Sequence, residues 1–389
     1  MASFHGNPVR LAMVGGGEGA FIGDVHRIAA RMDGAWRLVA GAFSRDPDNS
    51  RRTGARLGLE ANRCYPTWQA MLAAEAALPA DVRAECIAIV TPNHLHFPIA
   101  SAALEAGFHV ISDKPATRTL EEAEALAGIV EKSGALYGLT HTYLGYPMVA
   151  EMRDRVARGA VGKVRKVYVE YPQGWLAGPA ETQGSKQAQW RTDPALSGAG
   201  GAIGDIGTHA FTLAEWVVEQ KVTALCASLA THVAGRPVDD DAAALLRFDG
   251  GASGVLISSQ VCAGEENALK LQVYGEDGGL VWRQLEPNSL ELRPASDPIQ
   301  ILRAGADKPL CELARSRCRT PSGHPEGYLE AFANLYRDFA AAIRAGETGT
   351  AARVPGIELG LRGMKFIARM IESDRANYKW TAFEDGGEA

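Results

Sequence analysis

Apolar residues run almost unbroken through "VRLAMV" at 9–14, "WRLVAGAF" at 36–43, "ECIAIV" at 85–90, "HVIS" at 109–112 and "LYGLT" at 136–140. Between these runs the period changes. Val25, Ile28, Ala29 and Met32 recur at i, i+3, i+4 and i+7, the spacing of one helix face. Similar spacing predicts a polar helix over 46–58 and further helices over 67–77, 96–106 and 119–133. Short continuous strands alternating with helices imply parallel βαβ units with right-handed crossovers, in a sheet covered on both faces.

The pattern changes after about residue 145. A helix is expected over 147–158, and "KVRKVYVEYP" at 163–172 alternates, with Val167, Val169 and Tyr171 on one face. That is a half-exposed strand. A glycine-rich loop and a helix over 205–218 follow, then the strand-like runs "TALCASLA", "AAALLRF", "SGVLISSQ", "LKLQVYG", "GLVWR" and "SLELR". Turns such as "DGG" and "EDGG" suit hairpins. Helices over 325–345 and 356–374 close the chain. The fold class is therefore α/β. A doubly wound parallel sheet occupies residues 1–145, and an α/β domain with a large, mostly antiparallel sheet occupies 146–389.

Two domains fit the length of 389 residues, and a hydrophobic fraction of 46% is enough for two cores. Forty basic against 46 acidic residues argue against a general nucleic-acid binder. No apolar run approaches the ~20 residues that span a bilayer. The N-terminus lacks the charged-then-apolar pattern of a signal peptide. Six scattered cysteines form no C-x-x-C pair, so neither zinc nor a disulfide framework is indicated. These features predict a cytoplasmic protein with no membrane partner. "DDD" at 239–241 reads as a turn, since nothing at ligand spacing joins it, and no metal site is expected.

The first strand ends in "VGGGEGAFIGDVH", where Gly15, Gly17 and Ala20 fit G-x-G-x-x-G/A, and Phe21 and Ile22 open the helix. Glycines let the chain turn and let backbone approach a pyrophosphate at the helix N-terminus. An ordinary glycine-rich turn would look the same in isolation; the strand–loop–helix context favours a nicotinamide dinucleotide. The usual acid for the ribose 2′-hydroxyl, ~20 positions on, is replaced by Ser44 followed by Arg45. That pair could accept a 2′-phosphate, but Asp46 opposes it. NAD is the expected cofactor, with NADP left open.

Three further segments carry a resemblance. "IVTPNHLHFPIASAALEAGFHVISDKPAT" has T-P-N-x-x-H and then D-K-P, and "LSGAGGAIGDIGTHAFTLAEW" has G-G and then D-x-x-x-H. With the glycine loop they resemble the family named for glucose–fructose oxidoreductase, inositol 2-dehydrogenase and MocA. The inositol and rare-sugar branches are the nearest in pattern. The resemblance implies an N-terminal Rossmann domain and a C-terminal domain whose open sheet supports a homodimer or homotetramer. It implies oxidation or reduction of one secondary hydroxyl of a sugar or cyclitol. It also implies that Thr91, Pro92 and Asn93 pass along the dinucleotide, with Asp113 and Lys114 close by. His96 begins the next helix, so it either joins them or caps and packs. Tyr143, Trp175 and Arg191 are substrate-pocket candidates, and His324, with Glu326 more remotely, could reach this pocket or a neighbouring subunit's; Arg191 could equally pair with Asp193. The chain departs from the family in three ways. Asp113 replaces a glutamate. The loop is about three residues longer, so the family's last glycine matches Gly23, with His26 after it. "THTYLGYP" stands where asparagine and arginine are usual.

Removing hydride from a secondary alcohol needs a base for the hydroxyl proton. Histidine suits this because its ordinary pKa lies near working pH, and His209 is the candidate. Asp205, four residues earlier, shares its face if the stretch is helical and either orients the imidazole, binds a hydroxyl or caps the helix. Lys114 sits at a strand's carboxyl end, where open parallel sheets bind ligands, and Pro115 restricts its backbone. Its amine can stabilise negative charge on the reacting oxygen. Catalytic candidates are thus Lys114, Asp205 and His209. Two other readings stay open: a glycosidase that oxidises transiently with no net redox change, and a dinucleotide-binding regulator.

Overall fold

The computed structural model describes residues 6–306, 310–349 and 353–384; the outermost residues of the two expected domains lie outside these ranges. One structural unit runs to Thr142 and includes Tyr328–Leu361, while the other holds Tyr143–Gly327 and the chain from Arg362.

In the first unit, β1 (Val9–Gly15), β2 (Trp36–Ala42), β3 (Cys86–Val90), β4 (His109–Ser112) and β5 (Tyr137–Leu139) form a parallel sheet in the order β2-β1-β3-β4-β5. Helices α1 (Phe21–Met32), α2 (Pro47–Arg56), α3 (Trp68–Ala77), α4 (His96–Glu105) and α5 (Leu120–Ser133) cross between strands. Both faces of the sheet are covered. Leu11 and Met13 enter a core with Val25 and Ala29, whereas Ala12 and Val14 enter a second with Ile87, Ile99 and Leu126. Local chemistry sets the helix ends. Asp46 accepts the Asp48 N–H to cap α2, ahead of Pro47 at its first position. Thr119 and Glu122 form a capping box on α5. One expectation changes: Ile28 is 45% exposed, so the buried stripe of α1 is Val25 and Ala29 flanked by buried His26 and Arg27.

The second unit is built on a nine-stranded sheet. Its strands are β6 (Val164–Pro172), β7 (Val222–Ala230), β8 (Asp241–Phe248), β9 (Ser253–Ser259), β10 (Lys270–Gly275), β11 (Gly278–Arg283), β12 (Ser289–Pro294), β13 (Gln300–Arg303) and β14 (Thr381–Ala382). They are ordered β13-β12-β11-β10-β6-β9-β8-β7-β14, antiparallel except that β6 and β9 run parallel. Helices α6 (Pro147–Ala157), α7 (Lys186–Arg191), α8 (Pro194–Ser197), α9 (Thr208–Val218) and α10 (Glu312–Ser316) accompany it. Five π-helical residues, Ile203–Gly207, lead into α9. The acidic triplet is more than a turn: Asp239 and Asp240 are buried and Asp241 opens β8.

The last two helices are α11 (Tyr328–Ala345) and α12 (Ile357–Arg375). α11 belongs with the first unit, not with the domain expected to hold everything after residue 145. It packs on α1, where the His26 and Phe332 rings meet edge-on at 4.7 Å, and Trp36 Nε1 donates to Tyr336 O at 2.8 Å. Among the described residues no helix is long and apolar enough to cross a membrane, and all six cysteines are unbridged.

Candidate active site

The glycine loop follows β1 and is constrained by its own backbone. Gly15 and Gly16 have φ of +85° and +72°, the left-handed region that favours glycine. A Cβ on Gly17 would lie 2.8 Å from Phe43 O, and one on Gly23 would lie 2.4 Å from Gly16 Cα. The loop and first helical turn therefore touch backbone to backbone at Gly16 and Gly23. Arg27 Nη1 donates to Gly16 O at 2.7 Å and braces the same contact. The inserted residues fold onto α2, where the Glu18 N–H donates to Asn49 Oδ1 at 3.1 Å. Ala20 precedes α1 without a side-chain cap, leaving the first-turn N–H groups for an anion. Phe21 is 70% exposed at the mouth of this cradle, and Ile22 packs partly against the core. These features fit a dinucleotide pyrophosphate.

At the end of β2, Ser44 Oγ accepts the Asp46 N–H at 3.1 Å, while Arg45 is exposed. Thr91, Pro92 and Asn93 follow β3, with Asn93 buried. His96 makes the packing contacts that were one of the two roles open to it. Its ring is 1% exposed, with Nδ1 2.7 Å from Pro115 O and Nε2 2.9 Å from Thr91 O. It braces the two strand-end turns against each other because both ring nitrogens face backbone carbonyls. The Lys114–Pro115 bond is cis. Asp113 Oδ1 accepts the Lys114 N–H at 2.9 Å and the Thr140 hydroxyl at 3.0 Å, which ties the end of β4 to the end of β5. Lys114 is half-buried beside His141. Burial lowers the His141 pKa to about 3, the Lys114 charge acts in the same direction, and Asp113 opposes both. That imidazole is neutral at working pH.

In the second unit, the π-helical turn and α9 are buried from Gly200 to Glu215 except at Asp205 and His209, which keep partial exposure. An otherwise sealed segment thus presents one carboxylate and one imidazole. Asp205 is not the helix cap, since its own N–H donates to Gly201 O at 2.9 Å inside the turn. Its Oδ2 accepts Gln260 Nε2 at 2.9 Å and lies 3.4 Å from Arg191 Nε. Arg191 therefore pairs with Asp205, and Asp193 instead caps α8 by accepting the Ala195 N–H. The guanidinium also stacks 4.3 Å over the Trp190 ring.

The Tyr143 ring meets the His209 ring edge-on at 4.9 Å. Its hydroxyl contacts that of Tyr171 and accepts from Asn267 Nδ2 at 3.1 Å. Burial pushes the Tyr143 pKa up, the Asp205 charge adds to this, and its hydrogen bonds oppose it; the phenol stays protonated. Asn267 Oδ1 accepts from Tyr171 Oη and Gln173 Nε2, each at 2.6 Å. Gln173 Oε1 accepts Trp175 Nε1 at 3.1 Å, which ties the 39% exposed indole to the cluster. A ring of polar groups able to bind several hydroxyls is thereby linked to the carboxylate and the imidazole. Sequence reasoning missed Tyr171, Gln173, Gln260 and Asn267. The one available signal was their place just at or beyond strand ends.

Two further pocket candidates, for this chain's pocket or a neighbour's, lie in the segment just before α11. His324 is exposed in a turn where its N–H donates to Pro321 O. Glu326 is buried and spent on loop closure, accepting the Thr320 N–H at 2.7 Å and its hydroxyl at 3.0 Å.

Residues 9–141 match the model of an oxidoreductase family with an NAD-binding Rossmann fold, and residues 149–281 match the Gfo/Idh/MocA C-terminal domain. An uncharacterized oxidoreductase, YfiI of Bacillus subtilis, is 33% identical over 97% of both chains. An inositol dehydrogenase homolog from Azotobacter vinelandii, solved with NAD+, superposes with a TM-score of 0.92 at 36% identity over 98% of each chain. Levoglucosan dehydrogenase of Pseudarthrobacter phenanthrenivorans is 27% identical over 74% of this chain and 77% of its own. With both family domains matched in order, and relatives aligned along nearly its whole length, the chain belongs to the Gfo/Idh/MocA oxidoreductases and carries their NAD-binding Rossmann domain.

Proposed function

We propose that this protein oxidises a secondary hydroxyl of a cyclitol or sugar, of inositol or pyranose type, to the ketone. The observation that carries this reading is the exposure of Asp205 and His209 alone along a buried helical segment, ringed by hydroxyl-binding amides and phenols. Bound nicotinamide supplies the hydride acceptor. His209 takes the hydroxyl proton, and the Lys114 ammonium favours the alkoxide that forms as the proton leaves. Asp205, held by Gln260 and Arg191, accepts a neighbouring hydroxyl of the substrate. Tyr143, Trp175 and Asn267 bind the remaining hydroxyls. An A. vinelandii homolog solved with NADH and myo-inositol, and levoglucosan dehydrogenase solved with NADH and levoglucosan, support this substrate class. Asp46, whose charge beside Ser44 and Arg45 opposes a 2′-phosphate, and the NAD- and NADH-bound neighbours support NAD over NADP.

The chain also assembles as a homodimer or homotetramer through its large sheet. Tyr168, Val255 and Leu245 stand in one row across β6, β9 and β8, with Tyr168 and Leu245 42% and 47% exposed. The test is a panel of inositols, hexoses and glycosides with NAD and with NADP, followed by NADH absorbance and sugar release. NADH formed in step with ketone supports the reading. Glycoside cleavage without net NADH indicates the transient-oxidation glycosidase instead, and silence across the panel overturns the assignment.

A further inference from the structure

We propose that Asp239 is a positioning residue that fixes the π-helical turn presenting Asp205 and His209. Three consecutive N–H groups at the entry to that turn end on this one residue. Gly201 N donates to Asp239 Oδ1 at 2.6 Å, Ala202 N to Asp239 O at 3.0 Å, and Ile203 N to Asp239 Oδ2 at 2.9 Å. A helix start normally takes its cap from the residue immediately before it, whose side chain accepts the N–H two or three residues on. Here the acceptor lies 36 to 38 residues downstream, just before β8. The turn is therefore pinned to the sheet and cannot pivot on its own loop.

Two observations show that the arrangement is specific. A Cβ on Gly201 would lie 1.9 Å from Asp239 O, so the glycine-rich entry is shaped to this approach. The carboxylate is also held where its charge is poorly solvated. Burial pushes its pKa up to about 6, while the Ile203 and Gly201 N–H groups pull it back and Asp240 adds to the rise.

The neighbouring residue anchors the other side of the cluster. Asp240 O accepts the Gln260 N–H at 2.8 Å, and Gln260 Nε2 then holds Asp205 Oδ2 at 2.9 Å. The Asp240 side chain is locked by Arg236 Nη1 at 3.0 Å and by the N–H groups of His232 and Val233. One dipeptide thus sets both the backbone that carries Asp205 and the amide that orients its carboxylate.

This inference rests on the roles proposed above for Asp205 and His209. The test compares Asp239→Asn with Glu75→Gln, which changes a buried carboxylate in the first unit that accepts the Ala84 N–H and pairs with Arg63. Asparagine keeps the shape but offers an NH2 to one of the two N–H donors. Amide exchange at Gly201 and Ile203 should quicken, and kcat should fall about ten-fold or more with NAD affinity unchanged. The acid limb of the pH–rate profile should move as the turn that carries Asp205 and leads to His209 is displaced. Glu75→Gln should lower the melting temperature without changing kcat. Unchanged exchange at both amides overturns the proposal, as does quickened exchange with unchanged kcat. If the parent protein oxidises nothing in the panel, the functional assignment fails separately. Exchange then decides on its own: quickening that spreads through Asp205–His209 supports the positioning role, and quickening confined to Gly201 and Ile203 refutes it.

Discussion

Replacing Gly23 by alanine isolates the close approach that shapes the dinucleotide loop. Gly23 lies in the first turn of α1 and has an ordinary negative φ, so alanine costs no backbone strain there. Helix propensity alone would favour it by ~1 kcal/mol. The added Cβ, however, would sit 2.4 Å from Gly16 Cα and 2.6 Å from Gly16 O. Carbon atoms in contact prefer about 3.5 Å or more, so the loop must retreat by about 1 Å. Both obstructing atoms are backbone, and no side chain can swing away. Overpacking of this kind costs ~3 kcal/mol at the upper end of its usual range, leaving a net loss of ~2 kcal/mol. The retreat also pulls Gly16 O from Arg27 and displaces the N–H groups that would hold a pyrophosphate. Losing one hydrogen bond to a charged group weakens NAD about ten-fold or more. Thermal melting and titration of NAD fluorescence quenching measure the two effects. Gly128→Ala is the control, because nothing lies within 4 Å of its Cβ position in α5; it should stabilise by up to ~1 kcal/mol. A Gly23→Ala protein that melts at or above the parent temperature and binds NAD normally would refute the reasoning.

Stability should also fall in mild acid. Burial lowers the pKa of His26 from 6.5 to about 4 and that of His141 to about 3. The unfolded chain therefore binds more protons in that window, and each histidine withdraws ~3 kcal/mol or more as pH falls from about 6.5 through the folded value. Asp239 acts with the opposite sign, since its folded pKa is raised from 3.8 to about 6, but two groups outweigh one. Denaturant melts at about pH 7 and about pH 4.5 should differ by several kcal/mol, with His26→Gln flattening the difference; equal stability at both would contradict the assignment. Leu245→Asp, on the exposed row of the large sheet, should shift the protein to smaller species in analytical ultracentrifugation. Unchanged sedimentation would remove that face as the interface.

The first unit was largely legible in the sequence because its signals are local. β3 is buried at every position and reads as a continuous apolar run, and the glycine loop and Lys114 sit where strand ends can be counted off. Helix α11 was not assignable to its unit. Its amphipathic stripe demands a sheet to cover, and either sheet would satisfy it; long-range contacts such as those of His26 and Trp36 with Tyr336 decide. The polar ring was hidden for a related reason. β6 and β9 pair in parallel within an otherwise antiparallel sheet, with Pro172 opposite Ser259. That pairing brings Gln173 and Gln260 side by side from 87 residues apart, and no local pattern announces it. Asp239 was invisible on the same ground, since its meaning lies in N–H groups on a distant loop.

The central claim is that the Lys114 ammonium and the His209 imidazole carry the proton chemistry of one alcohol oxidation. The most direct measurement is kcat for Lys114→Ala and His209→Ala on whichever polyol the parent oxidises, beside the dissociation constant for NADH. Each variant should lose about a hundred-fold or more in kcat while binding NADH as the parent does. Near-parental turnover in either variant would remove that residue from the chemistry and contradict the account.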